Sequence, residues 1–526
     1  MQNVLINGEW RAANASGSFQ SENPATKSAL PDEYPVSSWE DCDAALSAAA
    51  DAFNELLTTP NRGEKVAGFL EAFADAIEAR KDALVEMAAN ETGLPASPRL
   101  GDVELPRTTG QLRQAAGAAH SGSWALPTID TATGIRSVYG PLGPVCVFGP
   151  NNFPFAFNSA SGGDFAAAVA AGNPVIAKAN SSHPGTTRLM AEAAHEAAQS
   201  SGMPKGMVQL IYRTSHADGE KLVSDPRVGA TGYTGSRNAG LKLKSAADAA
   251  GKPIYLELSS VNPVVILPGA ISERGDALAE EFTGSCLMGT GQFCTNPGLV
   301  IVLAGEETDA FIKNVADRFS AAPVGTLLSK AVENSLGENL QVLVNAGAEV
   351  LAGNAAGDDA RYSKANTLLR VSGQQFIADP EVMQTEAFGN ASLIAVAESI
   401  DEVCQIVAAL EGNLTGGIYT DTNGGDDAAY DQVAPILRQK VGRLLNDKMP
   451  TGVAVSAAMN HGGPFPATGH PGFTAVGIPG AILRFGMLQS YDAVRPHRLP
   501  AILQDANPSQ AWRLVDGAWS QADVAL

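Results

Sequence analysis

Short apolar runs alternate with helix-like stretches between residues 143 and 260, and this alternation limits the possible folds of the chain more than any other sequence feature. The apolar runs are "GPVCVFG", "NPVIAKA", "MVQLIY", "VGATGYTG" and "PIYLELSS". The segments between them, such as "HPGTTRLMAEAAHEAAQSSG", carry helix signals, with proline near the start and glycine after the end. Strands that alternate with helices of about 10–15 residues indicate a mostly parallel, doubly wound sheet. We therefore predict an α/β fold.

A second α/β unit begins near residue 260. After a turn at Asn262–Pro263, the strand-like runs "PVVILPG" and "GLVIVLAG" are each followed by a predicted helix, over 274–289 and 307–319. The first ~100 residues contain amphipathic segments, and we expect this region to begin with helices. Within 63–90 a single helix would place these residues on one face: Val66, Phe69, Leu70, Phe73, Ile77 and Leu84. Between these regions, "GIRSVYG" predicts an outlying strand.

Composition narrows the classes of partner and compartment. The chain has 526 residues and a net charge of −21, which disfavours nucleic acid and anionic membrane as partners. No run approaches the roughly 18–20 apolar residues that a membrane span requires, and no signal peptide is expected. The cysteines are odd in number and form no CxxC pair, which argues against disulfides and structural zinc: Cys42, Cys146, Cys286, Cys294 and Cys404. We expect a cytoplasmic protein.

The segment "GTGQFCTNPG" places Cys294 in a loop between a helix and a strand, where open α/β sheets bind ligands. From these residues alone, a nucleophile and an inert buried cysteine both remain open. No G-x-G-x-x-G follows the first strand, but "TGS" at 234–236 leads into a helix. Ser236 either helps to bind a phosphate at the N-terminus of this helix or serves as its N-cap. Lys178, at the end of a strand, either faces the ligand crevice or extends to solvent.

Six segments in the same order resemble motifs of the aldehyde dehydrogenase superfamily. They are "FGPNNFP" (148–154), "AKANSSHPG" (177–185), "GYTGS" (232–236), "LELSSVNP" (256–263), "GQFCTNPG" (291–298) and "QTEAFGN" (384–390). The resemblance implies a Rossmann-like cofactor-binding domain over 1–129 and 144–257 and an α/β catalytic domain over 258–460. It also implies a small β oligomerisation arm over 130–143 and 485–500, a substrate-tunnel segment over 461–484, and a homo-oligomer, either dimer or tetramer.

The resemblance also implies catalytic roles. Cys294 corresponds to the nucleophile that attacks a small-molecule aldehyde and later carries a thioester. Asn152 corresponds to the amide that stabilises the oxyanion together with the backbone N–H of Cys294; the "FP" that follows favours it over Asn151. Glu257 corresponds to the general base that activates water for thioester hydrolysis. Ser259 and Ser260 stand where relatives usually have two glycines. No metal is expected.

For the cofactor, the resemblance implies a dinucleotide bound without the usual glycine fingerprint. Its site would include Lys178, Gly235, Ser236 and Leu258, with Glu386 on the nicotinamide ribose and Phe388 beside the ring. NAD-preferring relatives have a glutamate where this chain has Ser181. Because that acid is missing, we expect NADP to be preferred, with NAD as the alternative. Arg213 is the first candidate for contacting the 2′-phosphate and His216 the second.

The substrate is less constrained. "FCTNPGLV" and "MNHGGPFPAT" resemble the NADP-using branch that includes ketoglutarate-semialdehyde dehydrogenases and a fatty-aldehyde dehydrogenase. His461, in the second segment, either assists proton movement at Cys294 or is a loop histidine bonded to backbone. Apolar Phe465, Phe473 and Val476 favour fatty aldehydes. Ketoglutarate semialdehyde is the alternative, and it would need an arginine that the sequence does not place. A CoA-acylating dehydrogenase and a non-catalytic structural relative are weaker alternatives, because Cys294 and Glu257 are both present.

Overall fold

Two seven-stranded sheets form the framework of the protein, and a computed structural model describes residues 1–524. In the first sheet the five strands predicted from the alternating pattern run parallel, and two N-terminal strands extend one edge in antiparallel pairing. The α/β prediction is therefore confirmed. The strand order is Ile254–Glu257, Ala230–Thr234, Val145–Phe148, Val175–Lys178, Val208–Ile211, Val4–Ile6 and Glu9–Arg11.

The second sheet contains the strands that follow residue 260. All neighbours pair in parallel except the edge strand Glu349–Ala352. The order is Glu349–Ala352, Thr367–Ser372, Ala391–Ala397, Leu299–Leu303, Val264–Ile266, Asn413–Tyr419 and Val441–Asn446. The chain passes from the first sheet to the second between Glu257 and Val264. The strands of the first sheet present their carboxyl ends to one cleft, and the strands of the second sheet present their amino ends to it.

A third, five-stranded sheet lies outside these two units. Its strands are Gly486–Tyr491, Arg136–Pro141, Thr128–Ile129, Arg513–Val515 and Ala518–Ser520. The first two fall within the segments expected to form an arm, and the two C-terminal strands were not expected there. Met487, Leu488 and Trp519 are exposed on this sheet.

The N-terminal region differs from the expectation that helices come first. Residues Ala15–Asn23 and Ser28–Ser37 form an antiparallel hairpin that precedes the first helix. Most of the side chains in the strand Ala15–Asn23 are exposed. The alternation of apolar and polar residues that identifies a half-buried strand is therefore missing there.

The single helix expected over 63–90 is two helices. They are Arg62–Glu78 and Lys81–Thr92, and the apolar face predicted for them is buried throughout. Arg80 lies between them as the N-cap residue of the second helix, and its guanidinium donates to the carbonyl of Ala76 in the first at 3.1 Å. A side chain that satisfies one of the last carbonyls stabilises such an end.

Helices cover both sheets. Those that accompany the first sheet are Trp39–Thr58, Arg62–Glu78, Lys81–Thr92, Leu105–Ser121, Gly163–Ala170, Pro184–Ser200, His216–Ser224 and Arg237–Ala249. Those after residue 260 are Pro268–Leu287, Glu306–Ala321, Lys330–Asn345, Gly373–Ala378, Pro380–Met383, Ile400–Ala409, Asp427–Arg438 and Gly480–Leu483. Across residues 1–524, none of the helices has the length and apolar character that crossing a membrane requires.

A buried carboxylate joins the helix Leu105–Ser121 to the loop that carries Asn152. Glu104 is 1% exposed and accepts hydrogen bonds from the backbone N–H groups of Phe155 (2.8 Å) and Ala156 (2.9 Å). It also pairs with Arg99, which in turn donates to the carbonyl of Asn152 at 3.0 Å. These bonds fix the backbone around Asn152.

Replacing Glu104 with alanine would leave a buried guanidinium and two buried N–H groups without their acceptor. We expect Glu104→Ala to lower the free energy of unfolding by about 3–5 kcal/mol, measured from denaturant midpoints. The control is Glu78→Ala, which removes an acid paired with Arg113 at the surface and should cost at most about 1 kcal/mol. Equal losses in the two variants would contradict a structural role for Glu104.

Candidate active site

Cys294 lies half-buried in a turn between the short helix Met288–Gly291 and the strand Leu299–Leu303. The preceding Gly291 has φ = 68°, and a Cβ there would stand 1.9 Å from the carbonyl oxygen of Gly389. Only glycine fits this position, because both the backbone angle and the contact exclude a side chain. The cysteine loop therefore packs directly on the loop of the "EAFGN" segment.

Two side chains hold the cysteine loop through hydrogen bonds. Asn262 Nδ2 donates to the carbonyls of Cys294 and Asn296, each at 2.9 Å. Gln292 donates to the carbonyls of Gly289 and Thr326, and its Oε1 accepts from Leu328 N–H at 2.8 Å. The sequence analysis identified Asn262 only as a turn and did not consider Gln292. Both residues position the nucleophile through its backbone.

The side chains of Cys294, His461 and Glu257 come from distant segments and lie in contact. His461 Nε2 lies 3.4 Å from Cys294 Sγ and 2.8 Å from Glu257 Oε1. Glu257 ends the strand Ile254–Glu257, and both Glu257 and His461 are 1% exposed. His461 N–H donates to Thr474 Oγ1 at 2.9 Å, which fixes its backbone. Its ring therefore contacts the two candidate catalytic side chains rather than the backbone.

The surroundings keep the Cys294 thiol protonated at rest. Burial, and then the charge of Glu257, raise the pKa of Cys294 well above its usual value, whereas the Arg107 charge lowers it. A thiol of this kind reacts only when a base takes its proton. Cys286 has no such base among its partners: burial raises its pKa to about 12, and its Sγ donates to the Ala391 carbonyl.

The donor atoms of Glu257, Cys294 and His461 lie within 4.8 Å of one another, and by ligand type they could hold a divalent ion. The separation of 2.8 Å between His461 Nε2 and Glu257 Oε1 is a hydrogen-bonding distance. The arrangement is therefore suited to proton movement. The expectation that no metal is bound remains a prediction.

Asn152 lies beside the cysteine loop. Its Nδ2 donates to the carbonyl of Gln292 at 3.0 Å, which uses one of its two N–H bonds. The backbone N–H of Cys294 donates to no carbonyl within residues 1–524. The second N–H of the Asn152 amide and the backbone N–H of Cys294 are therefore free to donate to one oxygen of a substrate bound at the cysteine. Asn151 also lines the cleft in front of Cys294.

A cleft of about 710 Å³ opens in front of Cys294. It is lined by most of the residues that the sequence analysis assigned to catalysis and cofactor binding: Asn152, Gly235, Ser236, Glu257, Leu258, Cys294, Glu386 and Phe388. Burial raises the pKa of Glu386 to about 7, although Ser259 and the N–H of Ser260 donate to it. Ser259 faces the cleft, while the Ser260 hydroxyl is turned away and donates to Asn262 Oδ1 at 2.9 Å.

The remaining cofactor candidates lie beyond the lining of this cleft, after two neighbouring strands. Lys178 ends the strand Val175–Lys178, Ser181 is half-buried nearby, and Arg213 is exposed after the strand Val208–Ile211. Burial and the charge of Arg213 lower the pKa of Lys178 to about 8, so the two cations are near each other. Such a pair favours an anionic ligand.

Ser236 occupies the N-cap position of the helix Arg237–Ala249, but its side chain makes no capping hydrogen bond. The first N–H groups of that helix are thus not capped by this hydroxyl and can bind phosphate. Together with the paired cations, this feature fits a pyrophosphate-bearing dinucleotide. His216, the second choice for a 2′-phosphate contact, is exposed at the start of the helix His216–Ser224.

One residue near the site was not identified from the sequence. Arg107, in the first turn of the helix Leu105–Ser121, has its Nε and Nη2 atoms buried without an acceptor in residues 1–524. Burial lowers the pKa of Arg107, and the charges of Glu104 and Glu257 act against that effect. No local motif marks this arginine, because its neighbours in the fold come from other segments.

Sequence comparison relates the chain to known proteins. The profile of the aldehyde dehydrogenase family matches residues 10–435. The chain is 40% identical to alpha-ketoglutaric semialdehyde dehydrogenase 2 of Azospirillum brasilense, over 98% of both chains. It is 35% identical to alpha-ketoglutaric semialdehyde dehydrogenase of Acinetobacter baylyi, again over 98% of both.

Solved structures show the same fold at lower identity. Aldehyde dehydrogenase C of Pseudomonas syringae, crystallised as a mutant with NAD⁺ and octanal, matches with a TM-score of 0.80 at 19% identity. The match covers 95% of this chain and 98% of that one. From the profile match and the two relatives of similar length, we conclude that this chain belongs to the aldehyde dehydrogenase family.

Proposed function

We propose that this oxidoreductase converts ketoglutarate semialdehyde to the corresponding carboxylic acid with NADP, through a thioester on Cys294. The observation that carries the chemistry is the contact of His461 Nε2 with both Cys294 Sγ and Glu257 Oε1. The substrate is suggested by the two relatives that match this chain over 98% of its length.

In the first half of the reaction, the sulfur of Cys294 attacks the aldehyde carbon. Because burial raises the pKa of Cys294, its proton must pass to a neighbouring base. His461 Nε2 donates its hydrogen to Glu257 Oε1, so the acceptor for the thiol proton is Glu257, which also hydrogen-bonds Cys294. Asn152 Nδ2 and the Cys294 N–H donate to the oxygen that becomes negative. Loss of one such donor typically costs about 10²–10³ in rate.

The dinucleotide would be held by Lys178, Ser236, Glu386 and Phe388, and when bound it accepts the hydride that leaves the substrate carbon. Glu386 is anchored by the Ser260 N–H at 3.4 Å and by an Asn339 bond to its own carbonyl at 2.8 Å. These contacts fix the side of the cleft on which the ring would lie.

In the second half, water hydrolyses the thioester. Glu257 Oε2 is buried and accepts no hydrogen bond from residues 1–524, whereas Oε1 contacts His461. The free oxygen can take a proton from water while the other holds the imidazole. A positioned base of this kind supports water, rather than CoA, as the acyl acceptor, and it also argues against a non-catalytic structural relative.

A second candidate substrate class is fatty aldehydes, which the sequence analysis preferred. An aromatic cluster next to the site favours it: Phe153, Phe157, Phe293 and Phe473 are buried together. We nevertheless place ketoglutarate semialdehyde first, because the relatives at 40% and 35% identity bear that name. The same cluster can enclose the carbon chain of either substrate.

We further infer a homo-oligomer, dimer or tetramer, that uses the third sheet, where Met487, Leu488 and Trp519 are exposed. A reducing, cytoplasmic location suits the five cysteines, which form no disulfide.

The roles of Cys294 and Glu257 can be separated by burst kinetics. Glu257→Gln keeps a hydrogen-bonding group beside His461 but removes the base. We expect a slowed burst of at most one NADPH per subunit, because Glu257 also takes the thiol proton, followed by a steady rate roughly 10²–10⁴-fold below that of the unaltered enzyme. Cys294→Ala should show neither burst nor turnover, and the exposed Glu349→Gln should behave normally. A burst in Cys294→Ala would refute the mechanism.

Substrate choice is tested with two aldehydes on the unaltered enzyme. We expect kcat/KM for ketoglutarate semialdehyde to exceed that for decanal by at least ~10²-fold, because a site that binds a polar group discriminates strongly against substrates lacking it. A higher kcat/KM for decanal would instead support the fatty-aldehyde assignment.

Cofactor preference is tested at Ser181. We expect a higher kcat/KM for NADP than for NAD, and a loss of about 10–100-fold for NADP in Ser181→Glu, since the new carboxylate repels the 2′-phosphate. Activity with NAD should be kept or improved, and Ser181→Ala serves as the control for the lost hydroxyl. An initial preference for NAD would contradict the assignment of Ser181 and Arg213.

A further inference from the structure

Arg107 is a half-buried cation near the catalytic site, and its guanidinium makes no hydrogen bond within residues 1–524. Its Nε and Nη2 atoms are buried and donate to no polar atom of residues 1–524. Other arginines nearby each have an acceptor, Arg99 in Glu104 and Arg443 in the carbonyl of Pro450 at 2.9 Å, although the Nε of each is also buried without one. A buried charge without a partner is costly, so an anionic ligand would be bound strongly at this point.

Aromatic rings hold the guanidinium of Arg107 in place. Its central carbon lies 5.2 Å from the centre of the Phe157 ring and 5.6 Å from that of Phe153. Contact with ring faces leaves the N–H edges of a guanidinium free to donate. Arg107 is therefore positioned by packing, while its hydrogen bonds remain available.

The same rings connect Arg107 to the reacting groups. The Phe157 ring centre is 5.7 Å from that of His461, and Phe153 packs against Phe293, the residue before Cys294, at 5.4 Å. Aromatic side chains thus connect the surroundings of the guanidinium with those of the nucleophile. The charge of Arg107 also acts on the pKa of Cys294, which agrees with this proximity.

We propose that Arg107 binds the carboxylate at the far end of the substrate while Cys294 attacks its aldehyde group. This inference rests on the proposed function and assigns the specificity for a carboxylate to one residue. A guanidinium can hold a carboxylate through two parallel hydrogen bonds, and the phenyl rings cover the carbon chain between the two ends. Uncharged aldehydes of the same length lack this contact.

The test compares two substrates of equal chain length, ketoglutarate semialdehyde and pentanal, in Arg107→Met. We expect kcat/KM for the semialdehyde to fall about 10²–10³-fold, mainly through KM, because a buried charge-assisted pair is lost. Pentanal should change less than about threefold or improve. The control is Arg113→Met on the same helix, where the guanidinium pairs with Glu78 and Asp75 at the surface; neither substrate should be affected.

A second readout uses glutarate, a dicarboxylate, as an inhibitor. It should compete with pentanal in the unaltered enzyme and lose this effect in Arg107→Met. Should that variant fail to fold, Arg107→Lys is measured in the same way. It keeps the positive charge but loses the second parallel hydrogen bond, so we expect it to bind glutarate less tightly than the unaltered enzyme does.

The outcomes separate the two proposals. Equal losses for semialdehyde and pentanal, or unchanged inhibition by glutarate, would overturn the role of Arg107 and leave the proposed reaction standing. If the unaltered enzyme did not favour the semialdehyde over pentanal, the proposed substrate would be overturned instead.

Discussion

The imidazole of His461 lies between the carboxylate of Glu257 and the thiol of Cys294, and the rest of the site is arranged around this contact. Glu257 belongs to the first sheet, Cys294 to a loop of the second unit, and His461 to the segment that follows the second sheet. The contact forms only when both sheets are in place, so folding and assembly of the site are coupled. Because burial raises the pKa of Cys294, the thiol depends on these neighbours for its reactivity.

The loops that carry these groups are held by buried polar bonds. Asn262 binds the carbonyl of Cys294, and Glu104 holds the backbone that follows Asn152. The glycine at 291 allows the cysteine loop to approach the loop of Gly389. Precise placement matters because a small displacement of a reacting group costs much of the rate. The same bonds stabilise the fold, so substitutions there are expected to affect both stability and activity.

Positively charged side chains lie at the proposed binding regions although the chain as a whole is acidic. The net charge is −21, yet the ligand-binding regions contain cations: Lys178 near Arg213, and Arg107 behind its aromatic rings. Under the proposed function, local basic groups recognise the anionic substrate and cofactor in an acidic protein. The half-buried Arg107 differs from the exposed Arg213 in that its Nε and Nη2 atoms are shielded from water, which would strengthen the proposed bond to a carboxylate.

The sequence by itself determined the α/β architecture, because the alternation of apolar strands and helices is a local pattern that folding preserves. It also identified Cys294, through six ordered motifs. The sequence did not predict the N-terminal hairpin or the C-terminal strands of the third sheet, because these strands are short or mostly exposed and have little apolar pattern. The contact of His461 with Glu257 and the isolation of Arg107 were decided by tertiary structure alone. Both depend on which distant segments meet in the fold, and no spacing along the chain encodes that.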